Sequence, residues 1–179
     1  MAHDETVMEI MNQLIIADKH IVGDLMAHKG LWTAGVSAVN NSYKALNLLV
    51  DAGRLERGNS YFRLPGCCKS EYKEHAQHLT KALASIIKLN YTTTIFREHE
   101  IKEVGLRPDA IVLLIRGNEA LCFILEVMNN ESPAYFTQKR NVWDSWQGAK
   151  DYLSKLFNTN IKAYDIVPNL DHYIMEVTQ

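Results

Sequence analysis

The first part of the chain alternates between apolar stripes of helical period and short breaks. Apolar positions in residues 5–16 recur every three to four residues, which predicts an amphipathic helix. A second helix is expected after Asp18, whose carboxylate can cap its first turn. A third is expected over about residues 37–52, with Val39, Tyr43 and Leu46 among the positions spaced for burial. Two short runs, 54–57 and 60–64, then flank Gly58-Asn59, a pattern typical of a β-hairpin.

Pro65-Gly66 ends this pattern and marks the domain boundary. We therefore predict a first domain over residues 1–66 and a second over residues 67–179. In the second domain the spacing predicts a helix over 71–89, a strand over 92–101 and two apolar strands after it. Next we expect one long helix over 134–157 that begins after Pro133, then a strand over 161–167 and an edge strand over 173–177. The core order is α-β-β-β-α-β, and the fold class is α/β (α+β).

Two carboxylates stand at the ends of the two most apolar strands of the second domain. Asp109 follows Pro108 at the head of the apolar run 110–114, and Glu126 ends the run 121–125. A short polar turn, 116–120, joins these runs. Because such antiparallel strands bring the start of the first beside the end of the second, we expect both carboxylates at one edge of the sheet. Two such oxygen ligands on a rigid sheet suit a hard divalent cation such as Mg²⁺.

Composition and charge limit the classes of partner. The net charge is −2, with 47% hydrophobic and 22% charged residues, as in an ordinary globular protein. Neither predicted domain has a basic excess, so contact with nucleic acid would have to use a local footprint. No apolar run approaches the ~20 residues that cross a bilayer. Three cysteines, two of them adjacent, do not form a disulfide framework. We expect a cytosolic protein with no membrane partner.

Three helices followed by a hairpin is the order of a winged helix-turn-helix domain, and the third helix would be its recognition helix. Asparagine side chains can bond adenine edges, whereas lysine and serine suit phosphates. The hairpin would form the wing, whose arginines could reach the DNA backbone or a minor groove. The candidate DNA-binding residues are Asn40, Asn41, Ser42, Lys44 and Asn47 on the third helix, and Arg57 and Arg63 on the wing. A homodimer would present two such helices to two half-sites.

The second domain resembles the PD-(D/E)xK nuclease superfamily. The resemblance rests on the order α-β-β-β-α-β over residues 71–167 and on the motifs Arg107-Pro108-Asp109 and Leu125-Glu126-Val127. It implies that Asp109 and Glu126 hold Mg²⁺ or Mn²⁺ for phosphodiester cleavage. The chain departs from the family at Met128, where a lysine is expected. The resemblance implies that Lys139 on the following helix could replace this lysine, and that Glu74 or Glu98 could complete the catalytic residues.

Within this superfamily, the chain is most similar to the replication-relaxation proteins of plasmids and phages. The motifs named above, together with Asn129-Asn130-Glu131-Ser132 and Lys139, carry this similarity. Those proteins join an N-terminal winged helix to a nuclease-like domain. The resemblance therefore implies a DNA-binding protein that acts in the replication or maintenance of a mobile element.

Three hypotheses remain open at this point. The first is a metal-dependent DNA endonuclease or nickase that is positioned by the winged helix. The second is a pseudo-nuclease that binds DNA without cutting it, which Met128 favours. The third is a protein-interaction module with no DNA role, which is consistent with the slightly acidic charge. Binding to DNA should weaken steeply with salt, because phosphate contacts release counterions.

Overall fold

The computed structural model describes residues 3–66, 74–89, 91–127 and 132–168. The chain divides into two compact units, Met1–Leu89 and Asn90–Gln179. Both contain helices and strands, so the predicted α/β character is confirmed. The boundary expected at residue 66 leaves the helix after it in the second domain, whereas the structure groups that helix with the first unit. The edge strand predicted over 173–177 lies outside the described residues. None of the described helices has the length and apolar character of a membrane span.

The described residues of the first unit form four helices and a small antiparallel sheet. Its strands β1, β2 and β3 pair in the order β1-β3-β2. The predicted sequence of three helices and a hairpin is confirmed, and β1 between the first two helices is an addition. The elements are α1 (Asp4–Leu14), β1 (Ile16–Ala17), α2 (Lys19–His28), α3 (Val36–Asp51), β2 (Glu56–Arg57), β3 (Phe62–Arg63) and α4 (Glu74–Ile87).

Local sequence signals explain where these helices begin and end. Asp18 caps α2 as predicted, because its carboxylate accepts hydrogen bonds from the backbone N–H groups of His20 and Ile21 at 2.8 and 3.0 Å. Gly53 follows α3 with a φ of 70°, a left-handed conformation that glycine adopts without strain. The Thr80 hydroxyl lies within hydrogen-bond distance of the carbonyls of Ala76 and Ile16, at 2.7 and 3.1 Å, and so links α4 to β1.

Helices α2 and α3 pack with their backbones in close contact at Gly23. A Cβ atom added there would lie 3.0 Å from both the carbonyl carbon and the carbonyl oxygen of Ala38. Because these are backbone atoms, they cannot rotate away. The close approach of the two helices therefore depends on glycine at this position.

We expect Gly23→Ala to destabilise the first unit. In an exposed helix the same change would stabilise by about 1 kcal/mol, because alanine has the higher helix propensity. Here the new methyl group must push α2 away from α3, and we expect a net loss of about 1–2 kcal/mol. Urea unfolding followed by circular dichroism measures the change. An unchanged or higher midpoint would contradict the close packing of these helices.

In the second unit, the described residues form a four-stranded sheet with two helices on one face. Its strands lie in the order β4-β5-β6-β7; the first three are antiparallel neighbours, and β7 runs parallel to β6. A two-residue turn at Gly117-Asn118 joins β5 to β6, with Gly117 at a φ of 61°. The elements are β4 (Thr92–Arg97), β5 (Ala110–Arg116), β6 (Glu119–Glu126), α5 (Pro133–Ser145), α6 (Ala149–Phe157) and β7 (Asp165–Pro168).

The prediction of a single long helix over 134–157 is wrong, because the chain leaves the helical conformation at Trp146 and resumes it at Ala149. The break allows both helices to bury apolar side chains against the sheet. Trp143 of α5 and Leu153 of α6 are fully buried, in one core with strand residues such as Ile111 and Ile124. This face of the sheet and α5 position the candidate site.

Candidate functional site

Asp109 and Glu126 lie at one end of the β5–β6 hairpin, as the sequence predicts. Ala110 pairs with Leu125; Asp109 comes immediately before Ala110 and Glu126 immediately after Leu125, so both carboxylate residues lie just beyond this register pair. The backbone N–H of Val127 donates to Asp109 Oδ2 at 2.6 Å and connects the two strands beyond the ladder. The structure therefore brings these residues together at one edge of the sheet.

Lys139 joins them from helix α5. Its Nζ atom lies 2.7 Å from Glu126 Oε2, and it also lies 4.9 Å from the ring centroid of Tyr135. The Glu126 side chain is 3% exposed and that of Lys139 is 17% exposed, so the pair is largely shielded from water. We call Asp109, Glu126 and Lys139 the Asp-Glu-Lys cluster.

Electrostatic interactions in the cluster keep the lysine charged. Burial by itself lowers the pKa of Lys139, because it disfavours the ammonium form. The hydrogen bond to Glu126 and the electrostatic interactions with Glu126, Tyr135 and Asp109 outweigh burial and raise this pKa above its ordinary value. The cluster thus holds a permanent cation next to a buried carboxylate at neutral pH.

Glu98 lies beside the cluster along the sheet but has arginine partners. Its backbone N–H donates to the carbonyl of Asp109 at 2.9 Å, and its φ is 50°. Its carboxylate accepts a hydrogen bond from Arg107 Nη2 at 2.9 Å and lies 4.0 Å from Nε of the buried Arg97. The other acidic candidate, Glu74, is an exposed residue at the start of α4 in the first unit. Glu98 is therefore held at the edge of the cluster as an ion-pair partner.

The cluster offers only two carboxylates as metal ligands, and such a pair fits a magnesium or manganese ion. Mg²⁺ is commonly bound by one or two carboxylates and keeps several water molecules, which matches Asp109 and Glu126. Within the described part of the chain, no group of three or more His, Cys, Asp or Glu residues could hold a metal ion. A cation would therefore be held by the two carboxylates, with water completing its coordination. Met128, where a lysine is expected, lies outside the described residues.

Helix α3 presents a polar face in the first unit, but not with all the predicted residues. Asn40 and Lys44 are exposed, and Asn41 is half-buried. The expectation that Ser42 lies on this face is wrong, because Ser42 is fully buried and its hydroxyl lies within hydrogen-bond distance of the carbonyls of Lys19 and Val39, at 2.5 and 2.8 Å. Ser42 therefore stabilises the packing of α3 against α2.

The Arg57 side chain of β2 is held against α3. Its guanidinium donates to Asn47 Oδ1 at 3.2 Å and to the hydroxyl of Tyr43 at 2.8 Å, and it lies 5.3 Å from the Tyr43 ring centroid. Asn47 Nδ2 in turn donates to the carbonyl of Tyr43 at 2.7 Å. The Asn47 side chain therefore bonds both to Arg57 and to the backbone of α3, and it holds the guanidinium group against this helix. On the same hairpin, Arg63 Nε donates to Glu56 Oε2 at 2.7 Å.

Tyr43, like Ser42, is a residue of α3 whose burial the sequence pattern predicted wrongly. Its position in the apolar stripe predicts burial, yet the residue is 37% exposed. Lys19 lies 5.2 Å from its ring centroid, so two cations contact one tyrosine. Tyr43 and Asn47 are four residues apart and so lie on the same side of the helix, which was the sequence signal that both could contact Arg57.

Comparison with other proteins adds no family assignment. No family model, no curated protein and no solved structure matches this chain significantly.

Proposed function

We propose that this protein binds DNA and cleaves its phosphodiester bonds at the Asp-Glu-Lys cluster with the help of a divalent cation. One observation carries the proposal: Lys139 of α5 reaches the two sheet-edge carboxylates, with its Nζ atom 2.7 Å from Glu126 Oε2. This supports Lys139 as the replacement for the lysine expected at position 128. The resemblance to replication-relaxation proteins supports a role in the replication or maintenance of a mobile element.

The residues of the cluster have complementary parts in such a reaction. Asp109 and Glu126 would hold Mg²⁺ or Mn²⁺, which in such sites activates water and neutralises charge on the scissile phosphate. The backbone N–H of Val127 orients the Asp109 carboxylate, and the hydrogen bond from Lys139 orients that of Glu126. The Lys139 ammonium group, whose pKa is raised despite burial, would stabilise negative charge on the phosphate oxygens.

The first unit would supply the DNA contact. Its first three helices and its sheet of order β1-β3-β2 support the winged helix-turn-helix interpretation, with α3 as the recognition helix. Asn40 and Lys44 are exposed on α3, and Arg57 is held in position beside them. A guanidinium group that is fixed before binding loses less entropy when it contacts a phosphate or a base.

A second candidate function is a pseudo-nuclease that binds DNA without cutting it. The same ion pair favours this candidate, because the Lys139 ammonium already neutralises the buried Glu126. In that case Lys139 replaces the metal ion as the cation of the site, and the cluster has a structural role.

A plasmid-nicking assay separates the two candidates. The native chain is incubated with supercoiled plasmid and Mg²⁺ or Mn²⁺, with and without EDTA. The proposal requires nicked circles that appear only when free metal is present. DNA binding without nicking would establish the pseudo-nuclease.

We expect Arg57→Ala to weaken DNA binding by about tenfold, the effect of losing one charge-assisted phosphate or base contact. The matched control is Arg54→Ala, which removes an exposed arginine that pairs with Glu5 at 2.9 Å in the same unit. Fluorescence anisotropy with a labelled duplex over a salt series measures both variants. The affinity of the native chain should fall steeply with salt. Equal losses for both variants would show that only net charge matters and would contradict a specific role for Arg57.

A further inference from the structure

A cavity of about 400 Å³ lies in the first unit, between the start of α2, the exposed face of α3 and the β2–β3 hairpin. Lys19, Tyr43 and Arg57 line it, together with the hairpin residues Gly58 and Tyr61. Its volume is within the range of small-molecule sites. The cavity belongs to the first unit alone, and the Asp-Glu-Lys cluster contributes nothing to it.

The cavity lining has an excess of positive charge, because Lys19 and Arg57 outnumber its single carboxylate, Asp18. Among the described residues, neither Lys19 nor Arg57 forms an ion pair with a carboxylate; Arg57 is held by the neutral Asn47 and Tyr43. Asp18 also lines the cavity, but its carboxylate oxygen accepts the backbone N–H groups of the first turn of α2. Lys19 and Arg57, which both lie over the Tyr43 ring, are therefore available to bind an anionic ligand.

The remaining lining suits an aromatic ring with hydrogen-bonding edges. The Tyr61 ring packs directly over Gly58, so closely that a Cβ atom at position 58 would lie 2.2 Å from the Tyr61 Cζ atom. Asn59 and Ser60 contribute polar groups next to it. Aromatic side chains stack on nucleobases, and cationic side chains bind phosphate oxygens. The combination matches a phosphate group joined to a base.

We propose that this cavity binds a nucleotide, with its phosphate on Lys19 and Arg57 and its base against the tyrosine side chains. The inference goes beyond DNA cleavage and does not depend on it. It concerns DNA binding as well, because Arg57 would serve both ligands. A bound nucleotide would therefore compete with a duplex for the hairpin and α3. A phosphate of the DNA backbone has the same chemistry as the free ligand, so the test includes both sources.

The test titrates the full chain with adenosine 5′-monophosphate by isothermal calorimetry, with adenosine and inorganic phosphate as the two half-ligands. The nucleotide should bind more tightly than either half. Lys19→Ala should weaken this binding by at least about tenfold, through loss of one charge-assisted contact. The matched control Lys29→Ala removes an exposed lysine just beyond α2 and should change affinity by less than about twofold. Gly58→Ala should also weaken binding, because it displaces the Tyr61 ring without changing charge.

Competition against a labelled duplex distinguishes the two sources of phosphate. Release of the duplex by the nucleotide, lost in Lys19→Ala, supports one shared cavity. Nucleotide binding without any DNA binding leaves this inference standing and removes the DNA-binding function. The inference is overturned if the nucleotide does not bind at millimolar concentration. Weaker duplex binding by Lys19→Ala would not rescue it, because Lys19 would then contact only the DNA backbone. Equal nucleotide affinity in Lys19→Ala and Lys29→Ala overturns it too.

Discussion

Asp109→Asn is expected to abolish metal-dependent nicking, with a loss of at least about a thousandfold, equivalent to about 4 kcal/mol of transition-state stabilisation. Asparagine keeps a side-chain oxygen that can accept the hydrogen bond from the Val127 N–H, so the strand connection at 2.6 Å can be retained. The variant removes only the negative charge that would hold the cation. A loss of activity with unchanged thermal stability would therefore report on metal binding and not on folding.

The matched control for this experiment is Asp144→Asn. Asp144 is an exposed residue of α5 that lies 3.6 Å from Arg140, and the substitution makes the same change in charge and shape. The control should nick plasmid at the native rate. If native chain and Asp109→Asn nick equally, the activity does not come from the cluster. If the native chain never nicks while both proteins bind DNA, the pseudo-nuclease is the correct description.

Lys139→Met is expected to destabilise the second unit by about 2–3 kcal/mol. The Glu126 side chain is 3% exposed, and the substitution removes its ammonium partner while keeping most of the aliphatic chain. Removing one partner of a fully buried ion pair typically costs about 3–5 kcal/mol, and the partial exposure of Lys139 reduces this loss. Chemical denaturation in EDTA at pH 8 measures the effect. Because the pKa of Lys139 is raised, the stabilisation by its charge is fully present below about pH 10, as long as Glu126 is ionised, and it declines at higher pH.

Two further measurements connect this stability to the metal site. The double variant Lys139→Met/Glu126→Gln should recover most of the loss, since it no longer buries an unpaired charge. Millimolar Mg²⁺ should stabilise Lys139→Met more than the native chain, because the cation can then take the place of the ammonium group. Equal stability of Lys139→Met and the native chain would show that the ion pair contributes little. Absence of any Mg²⁺ effect in both proteins would argue against a cation site at Glu126.

The sheet edge could be predicted from the sequence because its geometry is local. Gly117-Asn118 forms a two-residue turn, and such a turn determines every register pair of the strands that it joins. The positions of Asp109 and Glu126 relative to each other follow from this register and from the length of the two apolar runs. The cap at Asp18 was predictable for the same reason, since the carboxylate bonds to the two N–H groups that follow it.

Other features depend on contacts between distant segments. Apolar periodicity continues through Trp146, so the pattern gives no sign of the break that lets α6 cover the sheet. Ser42 and Tyr43 are adjacent, and the pattern placed the serine outside and the tyrosine inside. The structure reverses both, because α2 packs against the Ser42 side of α3 while Arg57 reaches Tyr43 from the hairpin. Helical period identifies a stripe but not how far the neighbouring elements cover its margins.

The sequence by itself determined most element types, the β5–β6 hairpin and the pair of carboxylates at its open end, because short-range turn chemistry and the pattern of apolar positions specify them. Only the tertiary structure decided which cation joins those carboxylates. Lys139 is 13 residues from Glu126 along the chain, and the packing of α5 on the sheet brings its Nζ atom to 2.7 Å from the Glu126 carboxylate. Only the tertiary structure, likewise, encloses the cavity around Tyr43. Both depend on helix-to-strand packing, whose direction no local pattern encodes.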